Sequence, residues 1–115
     1  MTGVELIAAE RQRQIEKEGW TQNHDDEAHS PGDLALAGAC YACNAATMMR
    51  IATKKQMADY EKYSSHGYRW PFLDKYWKPK DPLRDLVRAG ALIAAEIDRL
   101  QRNERAAEKA GGGGE

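Results

Sequence analysis

The residues with the most chemical content lie in one stretch. Between Tyr63 and Pro82 the chain holds six of its nine aromatic residues (Tyr63, Tyr68, Trp70, Phe72, Tyr76 and Trp77) and three of its four prolines, Pro71, Pro79 and Pro82. The rings offer faces on which a nucleobase can stack, and the interleaved Arg69, Lys75, Lys78 and Lys80 offer donors for phosphate. Arg84 and Arg88 follow, one helical turn apart, and could extend a phosphate clamp. The helix start near Asp81 would add its positive end, although the Asp81 carboxylate opposes an anion there. The same segment also reads as a hydrophobic lid, in which Trp and Phe cover the open side of a helical core. The two readings are compatible, because a lid can wall a pocket.

A second cluster lies between Trp20 and His29, where His24, Asp25, Asp26, Glu27 and His29 fall within six residues. Such a group could bind a divalent metal, supply general acid–base chemistry, or place polar side chains on ribose hydroxyls. It could equally satisfy helix ends and loop backbone. A metal site draws ligands from more than one place and no second cluster of His or Cys is evident, so no metal or cofactor is assigned. Arg11 falls within an apolar stripe and must have a partner, since an unpaired buried charge is very costly. Either an internal acid such as Glu18 takes it, or its guanidinium lines a pocket. The candidate ligand-binding residues are thus Arg11, Trp20, His24, Asp25, Trp70, Trp77, Lys78, Lys80, Arg84 and Arg88, with no catalytic set among them.

Composition bounds what such a site can serve. The chain has 115 residues, 42% hydrophobic and 30% charged, the balance of one soluble globular domain. Seventeen basic and eighteen acidic residues give a net charge of −1, which excludes the basic surface of a long-nucleic-acid binder. The balance is uneven: residues 1–30 carry about −4 and residues 69–88 about +3. A local basic segment on a neutral protein suits one small anion better than a polyanion. Two cysteines cannot form a disulfide framework or fill a zinc site alone. No signal peptide opens the sequence and no apolar run suits a membrane span, so the expected location is cytoplasmic.

The elements that must position these residues read as helices. The first is expected over 3–18, stopping at Gly19, with Val4, Ile7, Ala8 and Ile15 on one face alongside Arg11 and Glu18. The second starts at Ser30 and Pro31 and runs to about 62, becoming more polar after Arg50. From Leu34 to Met49 only Asn44 and Thr47 are polar, which describes a buried central helix whose small residues, Cys40 and Cys43 included, let neighbours approach. The third is capped by Asp81, has Pro82 at its first position and runs to about Glu108. One face carries Leu83, Leu86, Val87, Gly90, Ile93, Ala94, Ile97 and Gln101, with Leu100 at its edge. The opposite side mixes Arg84, Arg88 and Arg99 with Ala91, Leu92 and Ala95, and should meet another subunit or border a ligand. The expected architecture is all-α: a three-helix bundle over residues 1–110, a long aromatic and proline-rich loop before the last helix, and a glycine tail at 111–115. Alanine-rich apolar surface points to a homodimer or higher homo-oligomer.

The run Glu10-Arg11-Gln12-Arg13-Gln14, then Glu18-Gly19-Trp20 and His24-Asp25-Asp26, resembles the opening of a family of small phage and prophage proteins of mostly unassigned role. The resemblance continues through Trp70-Pro71, Trp77 to Pro82, and Asp85 to Ile97, and leaves out Thr47–Tyr68 and the tail. It implies a protein at work in the cytoplasm of an infected bacterium. Phages encode small proteins that sequester the nucleotide signals of bacterial immunity, such as the cyclic ADP-ribose species of Thoeris defence. A compact chain with an aromatic, basic pocket is similar to such a sponge by analogy of source and pocket chemistry. Two other functions compete. An all-α magnesium-dependent nucleotide pyrophosphohydrolase needs carboxylates three or four residues apart on one helix face, whereas Glu16 and Glu18, or Glu96 and Asp98, are two apart. A module that contacts a host protein would use the apolar and basic face of the last helix.

Overall fold

The computed structural model describes residues 1–18 and 31–112. Among these the regular structure is helical with no strand: α1 (Gly3–Glu18), α2 (Asp33–Ile51), α3 (Lys54–Ala58), α4 (Tyr60–Tyr63), a 3-10 turn at Asp74–Tyr76, and α5 (Pro82–Gly112). The all-α expectation holds, with α1, α2 and α5 as the three main helices. No described helix is long and apolar enough to cross a membrane.

The frame is the pairing of α2 with α5. The backbone amide of Gly32, at the start of α2, reaches Glu96, and Gly38 lies against Ala89, Leu92 and Ile93. The two helices therefore run antiparallel. At Gly38 a Cβ would stand 3.0 Å from the Ala89 carbonyl oxygen, so the absence of a side chain is what lets the backbones approach. Leu34, Ala37 and Tyr41 of α2 and Ala89, Leu92 and Ala95 of α5 form the core, with Trp70, Phe72 and Trp77 of the lid packed against it.

The helix that was expected to reach residue 62 stops at Ile51. Ala52 is extended, and Thr53 starts a new helix through a complete capping box: its hydroxyl accepts from the Gln56 amide, and the Gln56 side chain accepts from the Thr53 amide. Local capping here outcompetes continuation. At the other end α2 begins at Asp33 with Gly32 as its cap, whereas Pro31 was expected inside it. Nor is α2 buried all round. Leu34, Ala37, Gly38, Tyr41, Asn44, Ala45 and Met48 face inward, while Ala39, Cys43, Ala46 and Met49 are exposed. Cys40 is buried, and burial pushes its thiol pKa up; Cys43 is exposed, against the expectation.

The start of α5 is as expected. Pro82 is its first residue, and the Arg84 amide donates to the Asp81 carboxylate at 2.8 Å. Its sides are assigned otherwise than expected. Ala91, Leu92, Ala95 and Arg99, the side expected to meet a partner or ligand, are buried within the chain, while Leu83, Leu86, Ile93 and Ile97 are exposed. The reading of α1 changes too. Val4 and Ala8 are exposed, and the two buried residues are polar, Glu10 and Gln14.

Candidate functional site

The lid is organised around one buried phenol. Tyr41 stacks on Trp77 at 4.6 Å between ring centroids and takes Trp70 edge-on at 5.6 Å. Its hydroxyl accepts from the Lys78 backbone amide (3.0 Å) and from the Arg88 guanidinium (3.2 Å). Arg88 lies over the Tyr41 ring, 5.1 Å from its centroid, and also donates to the Lys78 carbonyl. Arg88 on α5 and Tyr41 on α2 thus staple the lid between them, Arg88 through the Lys78 carbonyl and Tyr41 through the Lys78 amide. Further out, His66 stacks on Trp70 and contacts Asp74 at 2.9 Å, while the Trp70 indole N–H donates to the Leu73 carbonyl.

Beneath the lid runs a buried polar network. The Tyr60 hydroxyl donates to the Asp85 carboxylate at 2.8 Å, and the Lys80 amide donates to its other oxygen at 3.0 Å. Asn44 donates to the Tyr60 and Ser64 hydroxyls, each at 3.0 Å, and its carbonyl accepts from the Ser65 amide. Asp85 has no exposed surface. Burial raises its carboxyl pKa, although the Lys80 amide and the Tyr60 hydroxyl counter that effect. Burial, and then the Asp85 carboxylate, also raise the Tyr60 phenol well above its ordinary value.

This network fixes two walls of a groove. Glu61 and Ser64 stand on the α4 side, and Trp77, Lys78, Pro79 and Lys80 on the lid side, enclosing about 300 Å³. Tyr60 and Asn44 hold Ser64, and Asp85 holds the Lys80 backbone. Trp77 lends ring surface only: its indole nitrogen is buried, with no hydrogen-bond partner among the described residues.

A second charged cluster forms where α1 meets α5. Glu10 takes two hydrogen bonds from Arg13, both at 2.8 Å, and lies 3.7 Å from Arg84. Burial alone would raise the Glu10 pKa, but the Arg13 hydrogen bonds and the charges of Arg13, Arg88 and Arg84 prevail and hold it below its ordinary value. On the other side of α5, Arg99 forms a two-pronged pair with Glu96, which also accepts from the Gly32 amide.

Of the residues singled out from sequence, Trp77, Lys78 and Lys80 come together at the groove, with Trp70 behind them, 5.2 Å from Trp77. Arg88 anchors the lid from beneath. Arg84 turns to Glu10, and Arg11 pairs with an internal acid, Asp98 of α5, at 3.8 Å; the Glu18 side chain lies outside the described residues. Trp20, His24 and Asp25 lie outside the described residues. Sequence reasoning missed Asp85, Tyr60, Asn44 and Ser64, which come from three different segments, α5, α4 with its C-cap, and α2, and it missed the two Glu-x-x-Arg pairs. For those pairs the signal was present, because residues three apart on a helix face one another. Among the described residues no group of three or more His, Cys, Asp or Glu could hold a metal ion. Comparison of the chain with protein-family models, with curated proteins and with solved structures gave no match.

Proposed function

We propose that the protein binds a small anionic ligand carrying a heteroaromatic ring, of the adenine-nucleotide class, in the groove between α4 and the lid. It holds this ligand without cleaving it, so that the bound signal is sequestered, as a phage anti-defence protein would do. The observation that carries the reading is the groove itself: Trp77, Lys78 and Lys80 line it together with Glu61 and Ser64, on walls fixed by a buried network. Its volume lies at the small end of ligand sites, which favours a mononucleotide-sized group over a whole dinucleotide. Binding rather than hydrolysis is favoured because the buried acids are engaged: Glu10 by Arg13, Asp85 by Tyr60 and the Lys80 amide, and Glu96 by Arg99.

The test is calorimetric titration with adenosine monophosphate, ADP-ribose, cyclic ADP-ribose and pyrophosphate, followed by heat denaturation and mass spectrometry of the released ligand. The expected result is saturable binding of an adenine compound, its recovery intact, and affinity at least about tenfold weaker in the Lys78→Glu/Lys80→Glu variant. Absence of binding across the panel, or recovery of a cleaved product, contradicts the proposal.

A further inference from the structure

The two walls of the groove differ in the hydrogen bonds they have left to offer. On the lid wall the backbone is spent. The Trp77 amide donates to the Asp74 carbonyl, the Lys78 amide to Tyr41 and the Lys80 amide to Asp85, while Pro79 has no N–H. The donors that remain on that wall are the ammonium groups of Lys78 and Lys80, two exposed residues.

The α4 wall has the opposite character. A serine hydroxyl carries one proton, and that of Ser64 goes to the Tyr60 carbonyl at 2.7 Å, an oxygen that can only accept. Asn44 donates to the same hydroxyl at 3.0 Å, and the Ser65 amide, by donating to the Asn44 carbonyl, fixes which end of that side chain faces Ser64. The Tyr60 hydroxyl is committed to Asp85, so no proton of this network is left to turn toward the groove. What Ser64 can still give a ligand is a lone pair. Glu61, three residues earlier and exposed, adds a carboxylate, which accepts only. Neither that carboxylate nor the two ammonium groups has a hydrogen-bond or ion-pair partner among the described residues.

We infer that Glu61, together with the remaining lone pair of Ser64, sets the specificity of the groove: it receives the free, vicinal 2′- and 3′-hydroxyls of the ligand's ribose and rejects a phosphate at either position. The inference rests on the nucleotide-binding reading above and adds which way round the ligand lies. A phosphate finds donors on the lid wall. On the α4 wall it would meet a like charge and a lone pair, with no side-chain donor to offset them. The ribose diol presents two donors to one carboxylate, a pairing that acidic residues make with ribose in other nucleotide sites. The adenine amino group suits that wall less well, because it lies beside the N1 lone pair, which a carboxylate repels. Charge alone predicts a different ranking, since two lysines should hold a doubly phosphorylated nucleotide more tightly than a singly phosphorylated one.

Calorimetric titration of the full chain with adenosine 5′-monophosphate, its 2′-deoxy analogue and adenosine 3′,5′-bisphosphate separates the two rankings. The monophosphate is expected to bind at least about tenfold more tightly than either of the others. Glu61→Gln keeps the size of the side chain and brings an N–H pair to the wall, so it should reduce both preferences by at least about threefold. Glu61→Lys should invert the second, so that the bisphosphate binds more tightly than the monophosphate. Because Glu61 is exposed, circular dichroism of both variants should match the parent. If either analogue binds the parent as tightly as the monophosphate, or if the Glu61 variants leave the ranking unchanged, the inference is overturned and the binding reading stands. A parent that binds none of the three overturns both.

Discussion

Replacing Tyr60 with Phe removes a single oxygen and probes the network that shapes the groove. That hydroxyl donates to Asp85 at 2.8 Å and accepts from Asn44 at 3.0 Å. Asp85 has no solvent access, so in the variant water cannot replace the lost donor, and the carboxylate keeps only the Lys80 amide among these bonds. A hydrogen bond to a charged, buried partner contributes about 1.5–3 kcal/mol, so Tyr60→Phe should destabilise the protein by about 2–3 kcal/mol. For a domain of this size that corresponds to a fall of roughly 10 °C in Tm. The sign of the pH dependence follows from the raised pKa of Asp85. A carboxyl whose pKa is higher in the folded state holds its proton more tightly there, so this group makes stability fall as pH rises from its ordinary value, near 3.8, through its folded value. Tyr60→Phe removes a donor to the charged form and raises the pKa further. Its penalty should therefore be largest near neutral pH and shrink as pH falls through the raised folded values, above the ordinary 3.8. The assay is urea unfolding at neutral and acidic pH, with Tyr63→Phe, at an exposed phenol, as the control expected to cost almost nothing. A Tyr60→Phe protein within about 0.5 kcal/mol of the parent at neutral pH would refute the reasoning.

Two further substitutions probe the parts that position the groove. Arg88→Ala should release the lid, because Lys78 then loses its carbonyl partner and Tyr41 its cation; tryptophan emission should shift to the red, and Arg88→Lys should not restore it, since a lysine cannot bridge two acceptors while lying flat on a ring. Unchanged emission would contradict the stapling role. Gly38→Ala should cost about 1–3 kcal/mol in urea unfolding despite the better helix propensity of alanine, because the new methyl meets the Ala89 carbonyl, which is backbone and cannot turn aside. A stabilised variant would show that α2 and α5 can separate at no cost.

How far the sequence reveals this arrangement depends on how local each signal is. The start of α5 was legible because Asp81 and Pro82 act within one turn. The lid was legible from its aromatic density, and Trp77, Lys78 and Lys80 do meet at one groove because they are near neighbours in the chain. The break at Ala52 was missed although Thr53 and Gln56 spell out a capping box, since periodicity alone ran on through them. The polar inner side of α1 was hidden because Glu10 and Gln14 look like surface residues until Arg13 and Arg84 close on Glu10, to which Gln14 also donates. The inward side of α5 was misassigned for a related reason: alanines and a paired arginine pack against α2 as well as leucines would, so the more apolar side was left exposed. Asp85, which joins the lid to the bundle, looked like an ordinary first-turn acid; its role needs Tyr60 and Asn44 brought in from other segments.

The most direct measurement of the central claim is a two-dimensional amide NMR titration of the full chain with adenosine monophosphate. The account predicts that the amides of Ser64, Trp77, Lys78 and Lys80 shift together along one saturation curve, with the side-chain indole signal of Trp77 among them. Shifts confined to the α1–α5 junction around Glu10 and Asp98, or a spectrum that does not move, would contradict it.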